Sequence, residues 1–194
     1  MLIWKSRLLT AIVLLAIIAA GAMWFVCREA KADLSRGSVP PTLAMASASF
    51  VDGGQMPRKL TCDGANVSPD VQIPPVPPAA KSLVVIIDDL DTPFGFVHWL
   101  VYDIPASVRD IGEGASAGAR LPAHAAEGIN DFGNAGYGGP CPPGGRHRYR
   151  LSVYAVDREL GLPAGASKKK LAAAVNGHIL AWGQMIGLYS RASR

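Results

Sequence analysis

The sequence predicts a mainly β, antiparallel domain, a β-sandwich or open barrel with one short helix near its C-terminus, behind a separate hydrophobic N-terminal helix. Three observations predict it. Leu83-Val84-Val85-Ile86-Ile87 is a β-branched run without polar alternation, the signature of a strand buried on both faces. Phe96–Ile104 and Tyr149–Val156 are two more segments rich in β-branched and aromatic residues. Gly 21 and Pro 15 among 194 residues punctuate the chain with turns and argue against a helix bundle. Hydrophobic residues at 49% with charged residues at 18% exclude disorder as the main state.

From the N-terminus, Leu8–Val26 is nineteen residues without a charge, preceded by Lys5 and Arg7. Such a run can cross a bilayer as a helix, and the basic flank places the N-terminus in the cytoplasm and exports the rest. Ala30-Lys31-Ala32 fits a small-x-small cleavage site, so residues 1–32 read as a signal peptide or as a retained signal anchor, and both readings stay open. The expected location is periplasmic or otherwise extracytoplasmic, soluble if the leader is cut and anchored in the inner membrane if it is not. The formal charge of +4 suggests an acidic partner. Four basic residues and one acidic residue lie in the leader, however, which leaves the remainder near +1. A nucleic-acid partner loses its support.

Residues 33–46 read as a linker and 47–194 as the domain. After the buried strand, Asp88-Asp89-Leu90-Asp91 crowds three carboxylates into one turn, which then needs cations, donors or water. Alternation along the next strand places Phe96, His98, Leu100 and Tyr102 on one face and Val97, Trp99 and Val101 on the other. The long stretch Pro105–Arg146 ends in Gly138-Gly139-Pro140-Cys141-Pro142-Pro143-Gly144-Gly145, a stiff loop whose backbone N–H groups can approach a ligand. In the strand that follows, His147, Tyr149, Leu151 and Val153 share a face, and Arg146, Arg148 and Arg150 share the other. An imidazole, a phenol and glycine amides around one cavity form a donor set for a phosphoryl or carboxylate oxyanion. Ser167 caps a helix over Lys168–Val175, Gly177 stops it, and Ala181–Tyr189 is the last strand. Lys168, Lys169 and Lys170 read as a solvated helix face.

Taken together, these motifs resemble the phosphatidylethanolamine-binding protein family, in its bacterial Raf kinase inhibitor-like branch. The similarity lies in Asp89-Leu90-Asp91-Thr92-Pro93, His98-Trp99, Gly139-Pro140-Cys141-Pro142-Pro143 and His147-Arg148-Tyr149. Thr61-Cys62-Asp63-Gly64-Ala65-Asn66-Val67-Ser68-Pro69 and Gly128-Ile129-Asn130-Asp131-Phe132-Gly133 extend it to about 47–191. The resemblance implies a β-sandwich with a short C-terminal helical region and one small surface pocket for anions. Asp89, Asp91, His98, Gly139, His147 and Tyr149 would line that pocket, with Tyr189 as an aromatic from the C-terminal segment that no specific motif fixes. Here Leu90 stands where the family's Asp-Pro-Asp-x-Pro carries its first Pro, and Ile73 stands near a usual aromatic position.

The two cysteines outside the leader, Cys62 and Cys141, both lie in motif loops. In an exported protein they can form one disulfide worth roughly 4 kcal/mol; two free buried thiols are the alternative. The expected function is a non-enzymatic binding module for a small phosphoryl or carboxylate ligand, such as a phospholipid head group. Asp89 and Asp91 would orient His98 and His147 and keep them cationic. A kinase or protease inhibitor acting through its surface is the alternative. A metal-dependent hydrolase ranks third, since two His and two Asp could hold a metal but no His-x-x-x-His pair is present. No cofactor is expected.

Overall fold

The computed structural model describes Leu34 and residues 37–191, apart from 94 and 117–119. The leader expected over 1–32 lies outside the described residues. Among the described residues no helix is long and apolar enough to cross a membrane.

Among the described residues seven strands form in chain order: β1 (Val71–Gln72), β2 (Ser82–Asp89), β3 (Phe96–Pro105), β4 (Asp110–Ile111), β5 (Ala126–Glu127), β6 (Arg146–Val156) and β7 (Ile179–Ser190). An α-helix, α1 (Lys168–Val175), precedes β7, and a 3-10 turn spans Arg58–Leu60. Five strands make an antiparallel sheet in the order β5-β3-β2-β6-β7, while β1 and β4 pair as a two-stranded ribbon. The fold is therefore mainly β and antiparallel with one short helix. Among the described residues the layer opposite the main sheet is the ribbon together with long loops.

The missing polar alternation in β2 has a direct cause. The strand lies between β3 and β6 with a core on each side. Leu83, Val85 and Ile87 enter one core with Val71, Ile111, Tyr149, Leu151 and Val153. Val84 and Ile86 enter the other with Leu100, Tyr102, Tyr154, Leu171 and Val175. Truncating one of these aliphatic side chains to Ala would cost about 2–5 kcal/mol. The α1 helix is built as expected: the Ser167 side chain accepts the Lys170 N–H, Leu171 and Val175 face the core, and Gly177 follows at φ 79°.

Between Trp182 and Leu188 the outer edge of β7 is not left open to pair with another chain. The Thr42 and Leu43 amides donate to Trp182 O, the Gly53 amide to Ile186 O and the Met56 amide to Leu188 O. The segment expected as a linker thus begins to serve as a cover for the sheet edge by Pro41, which bridges Trp182.

Candidate anion-binding site

The site forms where β2, β3 and β6 end together. Asp89 is the last residue of β2 and pairs in register with Phe96 on one side and Tyr149 on the other. Its Oδ1 accepts the Asp91 N–H at 2.8 Å, a local turn that fixes the carboxylate. Its Oδ2 lies 2.7 Å from Nδ1 of His147. Asp89 is thereby held at both oxygens and orients His147, as expected for that residue.

His98 reaches the same place by a route that alternation does not reveal. The β2–β3 register passes from Ile87↔Trp99 to Asp88↔Val97, so His98 is an extra residue on β3. Such a bulge moves side chains across the pleat. His98 consequently packs its ring on Tyr149, with centroids 5.2 Å apart at 82°, while Leu100 and Tyr102 point into the opposite core. The expected grouping of His98 with Leu100 and Tyr102 is corrected by this bulge.

The expected cationic His98 is corrected as well. Its exposure is 2%, and burial lowers its pKa below the ordinary histidine value, outweighing the opposing hydrogen bond and nearby carboxylates. Its partner is not a carboxylate but the Gly138 carbonyl, with Nδ1 2.5 Å from that oxygen. The Gly138 amide returns to His98 O at 2.9 Å, so one glycine clamps both the ring and the backbone of His98. A Cβ on Gly138 would stand 2.5 Å from the Phe132 ring, so only glycine permits this approach. Phe96 and Phe132 complete the surroundings, at 5.1 and 5.4 Å from the His98 ring, and Phe132 is 46% exposed at the rim.

Tyr149 lies between the imidazoles, its ring stacked near that of His147 at 6.4 Å and edge-to-face with His98. Its hydroxyl is the one buried side-chain polar atom among the described residues that makes no hydrogen bond of good geometry. Burial first, and then the Asp89 charge, push the phenol pKa far above its usual value. The group is a neutral O–H donor that leans on the Asp89 carboxylate, a contact short of good hydrogen-bond geometry.

Asp91 and Gly139 have other duties. The Asp91 carboxylate accepts the Arg148 N–H at 2.7 Å and guanidinium nitrogens at 2.6–3.2 Å, and these bonds hold its pKa below the usual carboxylate range. It therefore orients no imidazole. The Gly139 amide donates to Asn66 Oδ1 at 2.7 Å, and a Cβ there would come within 2.4 Å of the Leu60 carbonyl. With the Gly138 amide also engaged, these two glycines supply close packing rather than free amide donors. Nothing in the residue types forecast these inward bonds, although Asn66 and Phe132 both lie in the motif runs.

Cys62 and Cys141 are bridged, with Cα atoms 5.4 Å apart, and the Cys62 N–H donates to Pro140 O. The bridge ties the Thr61–Asn66 turn to the Gly138–Gly145 loop. Tyr189 is the cross-strand neighbour of His147, yet its hydroxyl donates to Asp63 Oδ2 at 2.7 Å. It lines a separate cleft of about 980 Å³ with Arg58, Asp63, Gly145 and Arg191, which neither His98 nor His147 lines.

On the far face of the sheet, Arg150 donates twice to the fully buried Asp88, at 3.0 and 2.7 Å, and Lys168 Nζ lies 4.0 Å from the same carboxylate. Lys168 thus leaves the expected solvated face, whereas Lys169 and Lys170 are exposed. Among the described residues no cluster of three or more His, Cys, Asp or Glu could hold a metal ion. Gly114-Ala115-Ser116-Ala117-Gly118 has the spacing of a nucleophile elbow. Its Ser116 hydroxyl, however, donates to Glu127 and accepts the Tyr137 N–H, with no imidazole among its partners.

Comparison with known proteins matches the family model described as phosphatidylethanolamine-binding protein over residues 46–190. A UPF0098 protein of Aquifex aeolicus is 48% identical over 151 residues, which are 75% of this chain and 86% of that protein. One of Methanothermobacter thermautotrophicus is 44% identical over 144 residues, 74% of this chain and 95% of its own. Among solved structures, the Chlamydia trachomatis phosphatidylethanolamine-binding protein homolog CT736 superposes with a TM-score of 0.71 at 33% identity, covering 79% of this chain and all of that one. YbcL of E. coli gives 0.73 at 31% identity, covering 77% and 99%. With the family model spanning almost every described residue, and relatives this similar on each side of it, the chain belongs to the phosphatidylethanolamine-binding protein family.

Proposed function

We propose that the protein binds a small phosphoryl or carboxylate ligand, such as a phospholipid head group, between His98, His147 and Tyr149, and does not transform it. The observation that carries this reading is the buried Tyr149 hydroxyl, which makes no hydrogen bond of good geometry among the described residues. A buried donor left without a good acceptor costs up to about 1–3 kcal/mol, and a ligand oxygen recovers that cost on binding. His147 adds to the site: Asp89 holds its Nδ1 and so orients the ring, leaving Nε2 as the nitrogen that a ligand can meet. Binding without turnover fits the same residues. The hydroxyl at the site is a phenol whose pKa burial raises, so it donates a hydrogen bond and does not ionise to attack.

The reading places the protein outside the cytoplasm, by way of the leader over 1–32, cleaved or retained as an anchor. The Cys62–Cys141 bridge supports an oxidising compartment. Titration calorimetry of the purified protein with inorganic phosphate and with acetate tests the function. Saturable binding that His147→Ala abolishes supports it; heats indistinguishable from dilution for both anions refute it.

A further inference from the structure

We infer that the cleft at the end of β7 is a peptide-binding site, in which an extended segment adds to the strand edge at Ser190 and sets an Asp or Glu carboxylate against Arg58. β6 and β7 pair in unbroken register from Arg146↔Ser190 to Ala155↔Ala181. Along an antiparallel ladder, alternate residues turn their backbone N–H and C=O away from the partner strand. On β7 these are the even-numbered residues. Trp182 O, Ile186 O and Leu188 O accept amides from Thr42 to Met56, while the Ile186 amide donates to Asp52 Oδ1 and the Leu188 amide to Gly54 O. Ser190 is the next residue to face outward. The covering segment has no amide for it, because Met56 is followed by Pro57, which has no N–H, and then by the 3-10 turn at Arg58–Leu60. Among the described residues nothing bonds the Ser190 backbone groups on that side, and Ser190 lines the cleft. An open strand edge of this kind takes an extended peptide as an added strand.

The charge of the cleft selects which peptide. Its ionisable lining is Arg58, Arg191 and Asp63. The Asp63 carboxylate is committed, accepting Arg191 nitrogens at 3.0–3.2 Å and the Tyr189 hydroxyl at 2.7 Å. Arg58 donates Nε to the Asp63 carbonyl oxygen at 2.6 Å, and among the described residues no carboxylate comes within ion-pairing distance of its guanidinium. Two guanidiniums facing one carboxylate leave the cleft positive, so it favours an acidic side chain. Gly144 and Gly145 line the same cleft with open backbone. A Cβ on either would meet nothing within 4 Å, and no described residue accepts their amides. Those donors match peptide carbonyls. The volume of about 980 Å³ is far more than a bare anion fills.

The test measures binding of a short capped peptide, threonine and valine alternating around one central glutamate, to the intact protein by fluorescence anisotropy. One control carries glutamine in place of the glutamate. Two others carry methyl groups on alternate backbone nitrogens, in the two possible registers. The glutamate peptide should bind about tenfold more tightly than the glutamine peptide, the worth of one charge-assisted hydrogen bond. Methylation in one register should abolish binding and in the other leave it intact, since one edge of the peptide faces β7. Arg58→Gln should erase the preference for glutamate while leaving the glutamine peptide and phosphate binding unchanged. Should that variant fail to fold, the Ser190 amide resonance of the wild type decides, a shift on adding the peptide supporting the inference and no shift overturning it. Equal binding of the glutamate and glutamine peptides overturns the role of Arg58, and indifference to methylation in both registers overturns strand addition. Displacement of the peptide by inorganic phosphate overturns the assignment to this cleft, and no binding by any peptide overturns the inference as a whole.

Discussion

Asp89 Oδ2 stands 2.7 Å from His147 Nδ1 while Asp89 Oδ1 accepts the Asp91 amide, so one buried carboxylate both closes a turn and aims an imidazole. Asn in its place keeps one accepting oxygen and loses the charge. Asp89→Asn should cost about 2 kcal/mol of stability, in the range for hydrogen bonds to charged groups, and about tenfold in phosphate affinity. Urea unfolding and calorimetry check both; an unchanged unfolding midpoint would show that the carboxylate carries neither bond in solution.

The disulfide closes a separation of 79 residues between two loops that otherwise meet through one backbone bond and the Asn66–Gly139 contact. Its removal should lower stability by about 4 kcal/mol through the entropy returned to the unfolded chain. Unfolding of the Cys62→Ser/Cys141→Ser double variant, compared with the oxidised protein, measures the difference.

Arg150 and Asp88 form a pair with little access to water, the carboxylate at 0% exposure. Arg150→Met leaves that carboxylate with Lys168 at 4.0 Å as its one named cation. The expected loss is about 3–5 kcal/mol, whereas Asp88→Leu combined with Arg150→Met should recover most of it. Equilibrium unfolding of the single and double variants gives both numbers.

Stability should fall when the pH drops below neutrality. Burial depresses the folded pKa of His98 below the ordinary 6.5, so the unfolded chain takes up a proton first. The loss begins near pH 6.5 and continues down to the folded pKa, with a slope of up to about 1.4 kcal/mol per pH unit. Asp91, depressed by Arg148, contributes a separate stabilisation that is complete above its ordinary 3.8 and lost below it. Urea midpoints measured from pH 7.5 to 5 should show the upper step in the wild type and not in His98→Gln.

Much of this arrangement was legible in residue order. The double-faced burial of β2 follows from an apolar run without alternation, and the pairing of His147 with Tyr149 follows from period two in β6, where register is unbroken as far as Ala155. The bulge at His98 was not legible, because it depends on which β2 residue each β3 residue meets rather than on residue type. The same reason hides the Arg150–Asp88 pair, since in-register neighbours become visible only once the strand order is known. The Gly138–Gly139 loop misled differently: its composition announces close approach, and the backbone approached is the protein's own, at Leu60 and beside Asn66.

The most direct test of the binding site is a single substitution, Tyr149→Phe, followed by phosphate binding and by unfolding. A buried hydroxyl held without a good acceptor, for a ligand, costs the free protein stability that phenylalanine restores. The variant should therefore be at least as stable as the wild type, by up to about 1 kcal/mol, and bind phosphate about tenfold more weakly or worse. A variant that is less stable and binds phosphate with unchanged affinity would contradict the account, placing the hydroxyl in the fold and not in the site.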